Sequence, residues 1–142
     1  MNPRGLIGLG EDTLDCSLAE IRSVFEILAA DDSYPVLVHC TQGKDRTGLV
    51  VLLLLLLTGV VGEELISGDY MKSEAELVPE LEERLKEIRA LGLDEEYAKC
   101  PPGFTTAIKT LLDSKYGGVE GYLSTLGIDP EKQERIRRRL MA

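Results

Sequence analysis

The chain has 142 residues, which is enough for one domain around a single core but too short for two. Its formal net charge of −9 argues against binding to nucleic acid or to an anionic membrane surface, because both need a basic protein face. The longest apolar run, residues 49–57, is far shorter than the roughly 18 residues that suggest a membrane span. We therefore predict one domain over residues 1–142, with no nucleic acid partner and no stable membrane insertion.

The cysteine and histidine content restricts the site chemistry. Cys16, Cys40 and Cys100 are odd in number and widely spaced, which argues against a disulfide framework or a structural zinc site. His39 is the only histidine, so a histidine-based metal site has almost no ligands available. We expect no metal, no other cofactor and a cytoplasmic location.

The amino-terminal part of the chain predicts one helix after an irregular start. Residues 1–16 contain a proline and several glycines and are expected to be irregular, with Leu6-Ile7 as a candidate short strand. Ser17 and Glu20 have the spacing of a capping box, and apolar residues recur at helical spacing after them. A helix is therefore predicted to begin at Ser17.

Residues 35–39 (PVLVH) predict a short, fully buried strand, and residues 47–57 predict a central helix that is apolar on all sides. The remaining helices are predicted over residues 63–72, 73–90, 94–99, 104–115, 119–126 and 130–140. The expected fold class is α/β, mostly helical with a small parallel sheet. One strand cannot form a sheet, because the backbone groups on both of its edges need partners. Either the amino-terminal segment pairs with this strand, or its neighbours lie outside the chain.

The chemically informative stretch is residues 38–48, VHCTQGKDRTG. It predicts a strand ending in Cys40, then a tight turn, then a helix that opens with Arg46. Such a turn points backbone N–H groups at one place, and the field that binds an anion also favours the thiolate form of a cysteine. The arginine fork matches two oxygens of a phosphate. These features predict an acid-ester or phosphoryl-transfer site.

The sequence HCTQGKDRTG at residues 39–48 resembles the Cys-x5-Arg phosphate-binding loop of the protein tyrosine phosphatase superfamily. More narrowly, it resembles the atypical dual-specificity branch of fungal and bacterial tyrosine/serine phosphatases, whose loop reads HCxxGKDRTG. The resemblance continues at residues 69–71 and 116–123 and covers most of the chain. It implies a phosphatase-like α/β fold and hydrolysis of phosphate monoesters, protein phosphotyrosine first and phosphoserine or phosphothreonine as extensions, through a cysteinyl-phosphate and without a cofactor.

The resemblance also implies roles for individual residues. Cys40 would attack phosphorus, Thr47 would donate a hydrogen bond to the sulfur, and His39 would hold the loop and help to lower the thiol pKa. The phosphate would be bound by the loop residues Cys40, Thr41, Gln42, Gly43, Lys44, Asp45 and Arg46.

Four further charged residues are candidates for roles at the site. Relatives place the general acid on a mobile loop before the cysteine, and Asp12 is the first candidate here, ahead of Asp15. Asp45 could orient Arg46, contact substrate or assist water attack, and the sequence leaves these roles open. Lys44 adds a second cation at the pocket rim, as in relatives that accept phosphoinositides.

Two other functions remain as alternatives: a phosphoinositide phosphatase, indicated by Lys44, and a phosphate-binding module that is inactive through truncation. Relatives carry a further amino-terminal segment with strands, so this chain is expected to be truncated and to resemble the carboxy-terminal two-thirds of the family domain. A homodimer that completes the sheet beside residues 35–39 is the corresponding partner hypothesis, because unpaired strand edges associate. The expected substrate is a phosphorylated protein or a phosphoinositide.

Overall fold

The computed structural model describes residues 3–142, which form α-helices and short helical turns. The α-helices are α1 (Gly5–Cys16), α2 (Leu18–Ala29), α3 (Asp45–Thr58), α4 (Glu63–Glu76), α5 (Leu81–Ala90), α6 (Phe104–Leu111), α7 (Val119–Thr125) and α8 (Pro130–Leu140). Two 3₁₀ turns lie at Val78–Glu80 and Glu95–Ala98, and a π-helical turn at Leu112–Tyr116 continues α6.

The predicted central helix is confirmed as α3. It is apolar on all sides, and it packs against α1, α4, α7 and α8. Leu49, Leu52, Leu53 and Leu57 are buried on it, and burial of each leucine contributes about 1.5–3 kcal/mol to stability. Because α3 starts in the candidate phosphate loop (residues 40–46), this packing fixes one end of the loop in the core.

The predicted helix starts at Ser17 and Pro130 are also confirmed. Helix α2 begins immediately after Ser17, although the Ser17 side chain forms no capping hydrogen bond. Helix α8 begins at Pro130, and the Asp129 carboxylate accepts a hydrogen bond of 2.9 Å from the Lys132 backbone N–H. Helix α2 is therefore stabilised by its buried apolar face, whereas α8 also has a side-chain cap from Asp129.

The predicted irregular start is wrong for residues 5–16, which form α1, and Leu6-Ile7 is helical rather than a strand. Met1 and Asn2 lie outside the described residues. The glycines that indicated a loop instead allow close packing on α6: a Cβ on Gly10 would lie 2.9 Å from the Phe104 ring. Leu14, on the same helix, is fully buried in the hydrophobic core. A glycine in a helix interior costs about 1 kcal/mol in propensity, which packing offsets here.

The predicted α/β fold with a small parallel sheet is wrong for the described residues. Residues 3–142 contain no β-strand, and residues 35–39 form an extended segment that makes no backbone ladder within that range. Val36 is 38% exposed and Leu37 is 86% exposed, so the segment is not buried. The apolar run has strand character, but a strand needs hydrogen-bonding neighbours, and residues 3–142 do not provide them.

The helical predictions for the acidic middle of the chain are correct in type but not in their boundaries. Helix α4 continues to Glu76, and the chain then turns at Val78–Glu80 before α5. Pro79 lies in this turn, where its missing N–H costs little. The result is two helices, α4 and α5, that meet beside the candidate phosphate loop.

Candidate active site

The candidate phosphate loop, residues 40–46, leads from the exposed segment into the first turn of α3. Gly43 has φ +67°, a left-handed conformation that side chains other than glycine rarely adopt. This turn brings the backbone N–H groups of Gln42, Gly43 and Thr47 to the Cys40 sulfur. The loop therefore presents converging N–H groups at the amino end of a helix, an arrangement that binds anions.

The Cys40 thiol has a lowered pKa. Burial alone would raise it, but the Thr47 hydroxyl and the backbone N–H groups of Thr47, Gln42 and Gly43 stabilise the anion and bring the pKa to about 6. An ordinary cysteine has a pKa near 8.5, so Cys40 is mostly thiolate at neutral pH. The thiolate is the nucleophilic form of cysteine, and the loop supplies it without a separate base.

The Thr47 side chain makes the largest contribution to lowering the Cys40 pKa. Its hydroxyl oxygen is buried and lies close enough to the Cys40 sulfur to lower the thiol pKa. A hydroxyl in this position stabilises negative charge on sulfur by hydrogen bonding to the anion.

Arg46 lies at the exposed side of the loop. Its Nη2 donates a hydrogen bond of 3.2 Å to Thr41 Oγ1, which connects the two ends of the loop. The guanidinium is exposed and can be reached by a phosphate from solvent. A planar fork held in this way can bind two phosphate oxygens at once.

Lys44, predicted at the pocket rim, is instead buried. Its Nζ donates hydrogen bonds of 2.5 Å to Asp45 Oδ1 and 3.1 Å to the Lys99 carbonyl oxygen. Asp45 therefore pairs with Lys44, while the hydrogen bond of Arg46 goes to Thr41. The two cations of the loop therefore lie in different environments, because Arg46 faces solvent and Lys44 faces the interior.

The two candidates for the general acid lie on α1. Asp12 forms an ion pair with Arg4. Asp15 accepts hydrogen bonds from Lys115 Nζ at 2.7 Å and from the Tyr116 hydroxyl at 2.5 Å. Burial raises the Asp15 pKa, but these two donors outweigh it and hold the pKa below its usual range. Asp15 thus joins α1 to the turn before α7, which is a structural role.

His39 was predicted to end a buried strand, but it is exposed. The absence of a sheet in residues 3–142 explains the difference, since no neighbouring strand covers this position. The residues that lower the Cys40 pKa most are Thr47, Gln42 and Gly43. A role of His39 in holding the loop stays a prediction.

Sequence reasoning assigned no role to several residues around the loop. A cavity of about 70 Å³ is lined by Gly43 and Thr47 of the loop and by Asp69, Tyr70 and Ser73 of α4. A larger one of about 330 Å³ lies between Gln42 and the α4–α5 region. The resemblance to the phosphatase family at residues 69–71 could have indicated the first cavity. No sequence pattern indicated the second.

The second resembling stretch, residues 116–123, joins α7 to α1. The Tyr122 hydroxyl donates a hydrogen bond of 2.8 Å to the Leu14 carbonyl, and Tyr116 bonds to Asp15. The rings of Tyr116 and Tyr122 meet edge to face at 4.9 Å. This motif therefore organises the core rather than the loop.

Residues 3–142 contain no group of three or more His, Cys, Asp and Glu side chains that could hold a metal ion. Over the same range, no helix combines the length and apolar character needed to cross a membrane.

Comparison with known proteins points to one family. A model described as the tyrosine phosphatase family matches residues 4–142. A tyrosine-protein phosphatase of Nostoc commune is 33% identical over 132 residues, covering 87% of this chain and 45% of the relative. The triple specificity protein phosphatase PtpB of Mycobacterium tuberculosis is 34% identical over 133 residues, covering 82% of this chain and 47% of the relative. The chain thus spans about half the length of the curated relatives it matches.

Proposed function

We propose that this chain, which belongs to the tyrosine phosphatase family, hydrolyses phosphate monoesters, with protein phosphotyrosine as its main substrate. Phosphoserine and phosphothreonine are the further substrates that we would test. The observation that supports this proposal most is the Cys40 thiol with a pKa of about 6, surrounded by converging N–H groups. The names of the two relatives, a tyrosine-protein phosphatase and a triple specificity phosphatase, support the same substrate class.

In the first step, the Cys40 thiolate attacks phosphorus, the S–P bond forms, and the ester P–O bond breaks. The leaving oxygen takes a proton from a general acid. In the second step, water attacks phosphorus and gives its proton to the carboxylate that acted as the acid, the S–P bond breaks, and inorganic phosphate and the thiolate are released. Arg46 and the loop N–H groups bind the non-bridging oxygens throughout, and their charge complements the transition state. The Thr47 hydroxyl stabilises the departing thiolate in the second step.

Asp12 is our candidate for the general acid. It lies on the exposed surface of α1 and forms an ion pair with Arg4, which would have to open to place a proton on the leaving oxygen. If this assignment is correct, Asp12→Asn slows hydrolysis of alkyl phosphates more than that of aryl phosphates with good leaving groups. Equal losses on the two substrates would remove Asp12 from the mechanism.

The experiment that tests the proposed function compares three proteins on a phosphotyrosine peptide and a small aryl phosphate. We expect the wild type to release phosphate, Cys40→Ser to lose this activity, and Cys16→Ser to keep it. Cys16 is the matched control because it is an exposed thiol outside the loop. Equal rates for the wild type and Cys40→Ser would contradict the proposal. Phosphopeptide binding without release by the wild type would favour a phosphate-binding module instead.

A second proposal concerns the unpaired segment at residues 35–39. We propose that it pairs with the same segment of a second copy and forms a homodimer. Leu37 is 86% exposed, and residues 35–39 form no backbone–backbone hydrogen bond within residues 3–142, both of which favour strand pairing. Sedimentation of the wild type and of Leu37→Lys tests it: a dimer that the substitution dissociates is expected, and a monomeric wild type would refute it.

The cysteine chemistry supports a cytoplasmic location as a further proposal. All three cysteines are unpaired, and a nucleophilic thiolate such as Cys40 needs a reducing compartment to remain active. Fractionation of cells that express the full natural protein tests this location.

A further inference from the structure

Lys44 is a charged loop residue that is completely covered. Its side chain has 0% exposure, whereas its neighbour Arg46 is exposed. Lysine is almost never buried in this way unless its ammonium is paired, because removing the charge from water is costly. The position of Lys44 therefore depends on the groups that accept its hydrogen bonds.

Those acceptors come from two parts of the chain. One is the Asp45 carboxylate in the first turn of α3, at 2.5 Å. The other is the backbone carbonyl of Lys99, 55 residues away in sequence, at 3.1 Å. Lys44 thus joins the phosphate loop to the segment that follows the Glu95–Ala98 turn.

The surroundings of this contact are closely packed. Cys100 is 2% exposed and Tyr70 is 7% exposed, and the Tyr70 ring stacks on Phe104 at 4.7 Å. The Tyr70 hydroxyl is buried and lies against the Cys100 thiol. The Lys44 ammonium is therefore directed to Asp45 and to the Lys99 carbonyl rather than to solvent.

We infer that Lys44 is a positioning residue that holds the phosphate loop against the Lys99–Cys100 segment, rather than a cation that contacts substrate. The inference rests on the proposed function of the loop and adds a part to it. Gln42 and Gly43, whose N–H groups face the Cys40 sulfur, directly precede Lys44 in the chain. Loss of the Lys44 contact therefore releases the part of the loop that stabilises the thiolate.

The first test needs no substitution. Amine acetylation of the wild-type protein, followed by peptide mass spectrometry, compares the reaction rates of Lys44 and the exposed Lys99. We expect Lys44 to react far more slowly, and orthovanadate, used as the phosphate probe, to leave its rate unchanged. A Lys44 that reacts as fast as Lys99 and is protected by orthovanadate would overturn the inference.

The second test measures the thiolate directly in variants. The pH dependence of iodoacetamide alkylation of Cys40 is recorded for the wild type, Lys44→Met and Lys99→Ala, all in a Cys16→Ser background. Lys99→Ala is the matched control because it removes an exposed lysine and keeps the carbonyl acceptor. We expect Lys44→Met to raise the Cys40 pKa from about 6 toward the usual 8.5, and Lys99→Ala to leave it unchanged. An unchanged pKa in folded Lys44→Met would overturn the inference.

Activity measurements on two substrates distinguish a positioning role of Lys44 from direct contact with substrate. If Lys44 acts through the loop, Lys44→Met lowers hydrolysis of an aryl phosphate and of a phosphoinositide by the same factor, about 100-fold for a misplacement of 1 Å. A loss confined to the phosphoinositide would mean that Lys44 contacts substrate. If the wild type has no phosphatase activity, the proposed function fails, while the alkylation and acetylation experiments still decide the position of Lys44.

Discussion

Arg46 Nη2 donates a hydrogen bond of 3.2 Å to Thr41 Oγ1, and this contact connects the two ends of the phosphate loop. It holds the guanidinium on the solvent-exposed side of the loop. Thr41 therefore affects the orientation of Arg46 and not its charge.

Thr41→Val removes the hydroxyl and keeps the shape of the side chain. We expect kcat/KM for an aryl phosphate to fall about 10- to 150-fold, because a hydrogen bond to a charged group contributes about 1.5–3 kcal/mol. Thr110→Val is the control, since the Thr110 hydroxyl bonds only to its own helix at Thr106. Equal kcat/KM for Thr41→Val and the control would show that Thr41 does not orient Arg46.

The Cys40 pKa of about 6 predicts the pH dependence of alkylation. Raising the pH from 5 to 7 converts the thiol to the thiolate, so the alkylation rate should rise across this range and then level off. Thr47→Val removes one group that stabilises the anion and should move the rise to higher pH. If alkylation of the wild type rose only around the ordinary thiol pKa near 8.5, the loop would not activate Cys40.

Asp15 is predicted to stabilise the fold and to take no part in the chemistry. Asp15→Asn should lower the free energy of unfolding by about 1–3 kcal/mol, because it weakens the bonds from Lys115 and Tyr116. Asp113→Asn, on an exposed pair with Lys109, should cost much less.

The pH dependence of that contribution follows from the lowered Asp15 pKa. The stabilisation is complete above the unfolded pKa of about 3.9 and is lost as the pH falls through the lower folded value. Urea titrations at neutral pH and in acid measure both effects. A marked fall in kcat for Asp15→Asn, with stability unchanged, would instead indicate a catalytic acid.

Leu53 tests the central position of α3. Its side chain is fully buried, so Leu53→Ala should cost about 2–5 kcal/mol of unfolding free energy. Leu65 on α4 is 70% exposed, and Leu65→Ala should change stability by about 0.5 kcal/mol or less. Similar midpoints for the two variants in urea would contradict the packing described for α3.

The tight turn and the lowered pKa of the Cys40 thiol could be predicted from the sequence, because they depend on neighbouring residues. Cys40, Gly43 and Arg46 lie within seven consecutive residues, and a turn before a helix is sufficient to bring their groups together. Helix α3 was predictable for the same reason, since an apolar run of this length must be covered on all sides.

The features that were mispredicted depend on contacts between distant parts of the chain. Residues 35–39 have the composition of a buried strand, but residues 3–142 provide no strand to pair with them. The burial of Lys44 depends on a carbonyl 55 residues away, and the partners of Asp15 lie 100 and 101 residues away. Glycines that usually indicate loops lie in α1, where Gly10 faces Phe104.

The arginines at Arg137–Arg139 lie in the last turn of α8, where their charge complements the helix dipole. The structure adds a packing role: Arg137 Nε donates to the Leu57 carbonyl at 2.9 Å, and Arg139 pairs with Asp31 and lies over the Tyr34 ring at 4.5 Å. These contacts hold the ends of α2 and α3, and no local pattern indicates them.

The cysteinyl-phosphate is the central claim of the mechanism. Rapid acid quenching of the wild type during turnover of an aryl phosphate, followed by peptide mass spectrometry, locates any covalently bound phosphate. We predict one phosphate on Cys40 in the wild type and none in Cys40→Ser. Phosphate release by the wild type with no phosphate on Cys40 at any quench time, and a Cys40→Ser variant that is equally active, would contradict the mechanism.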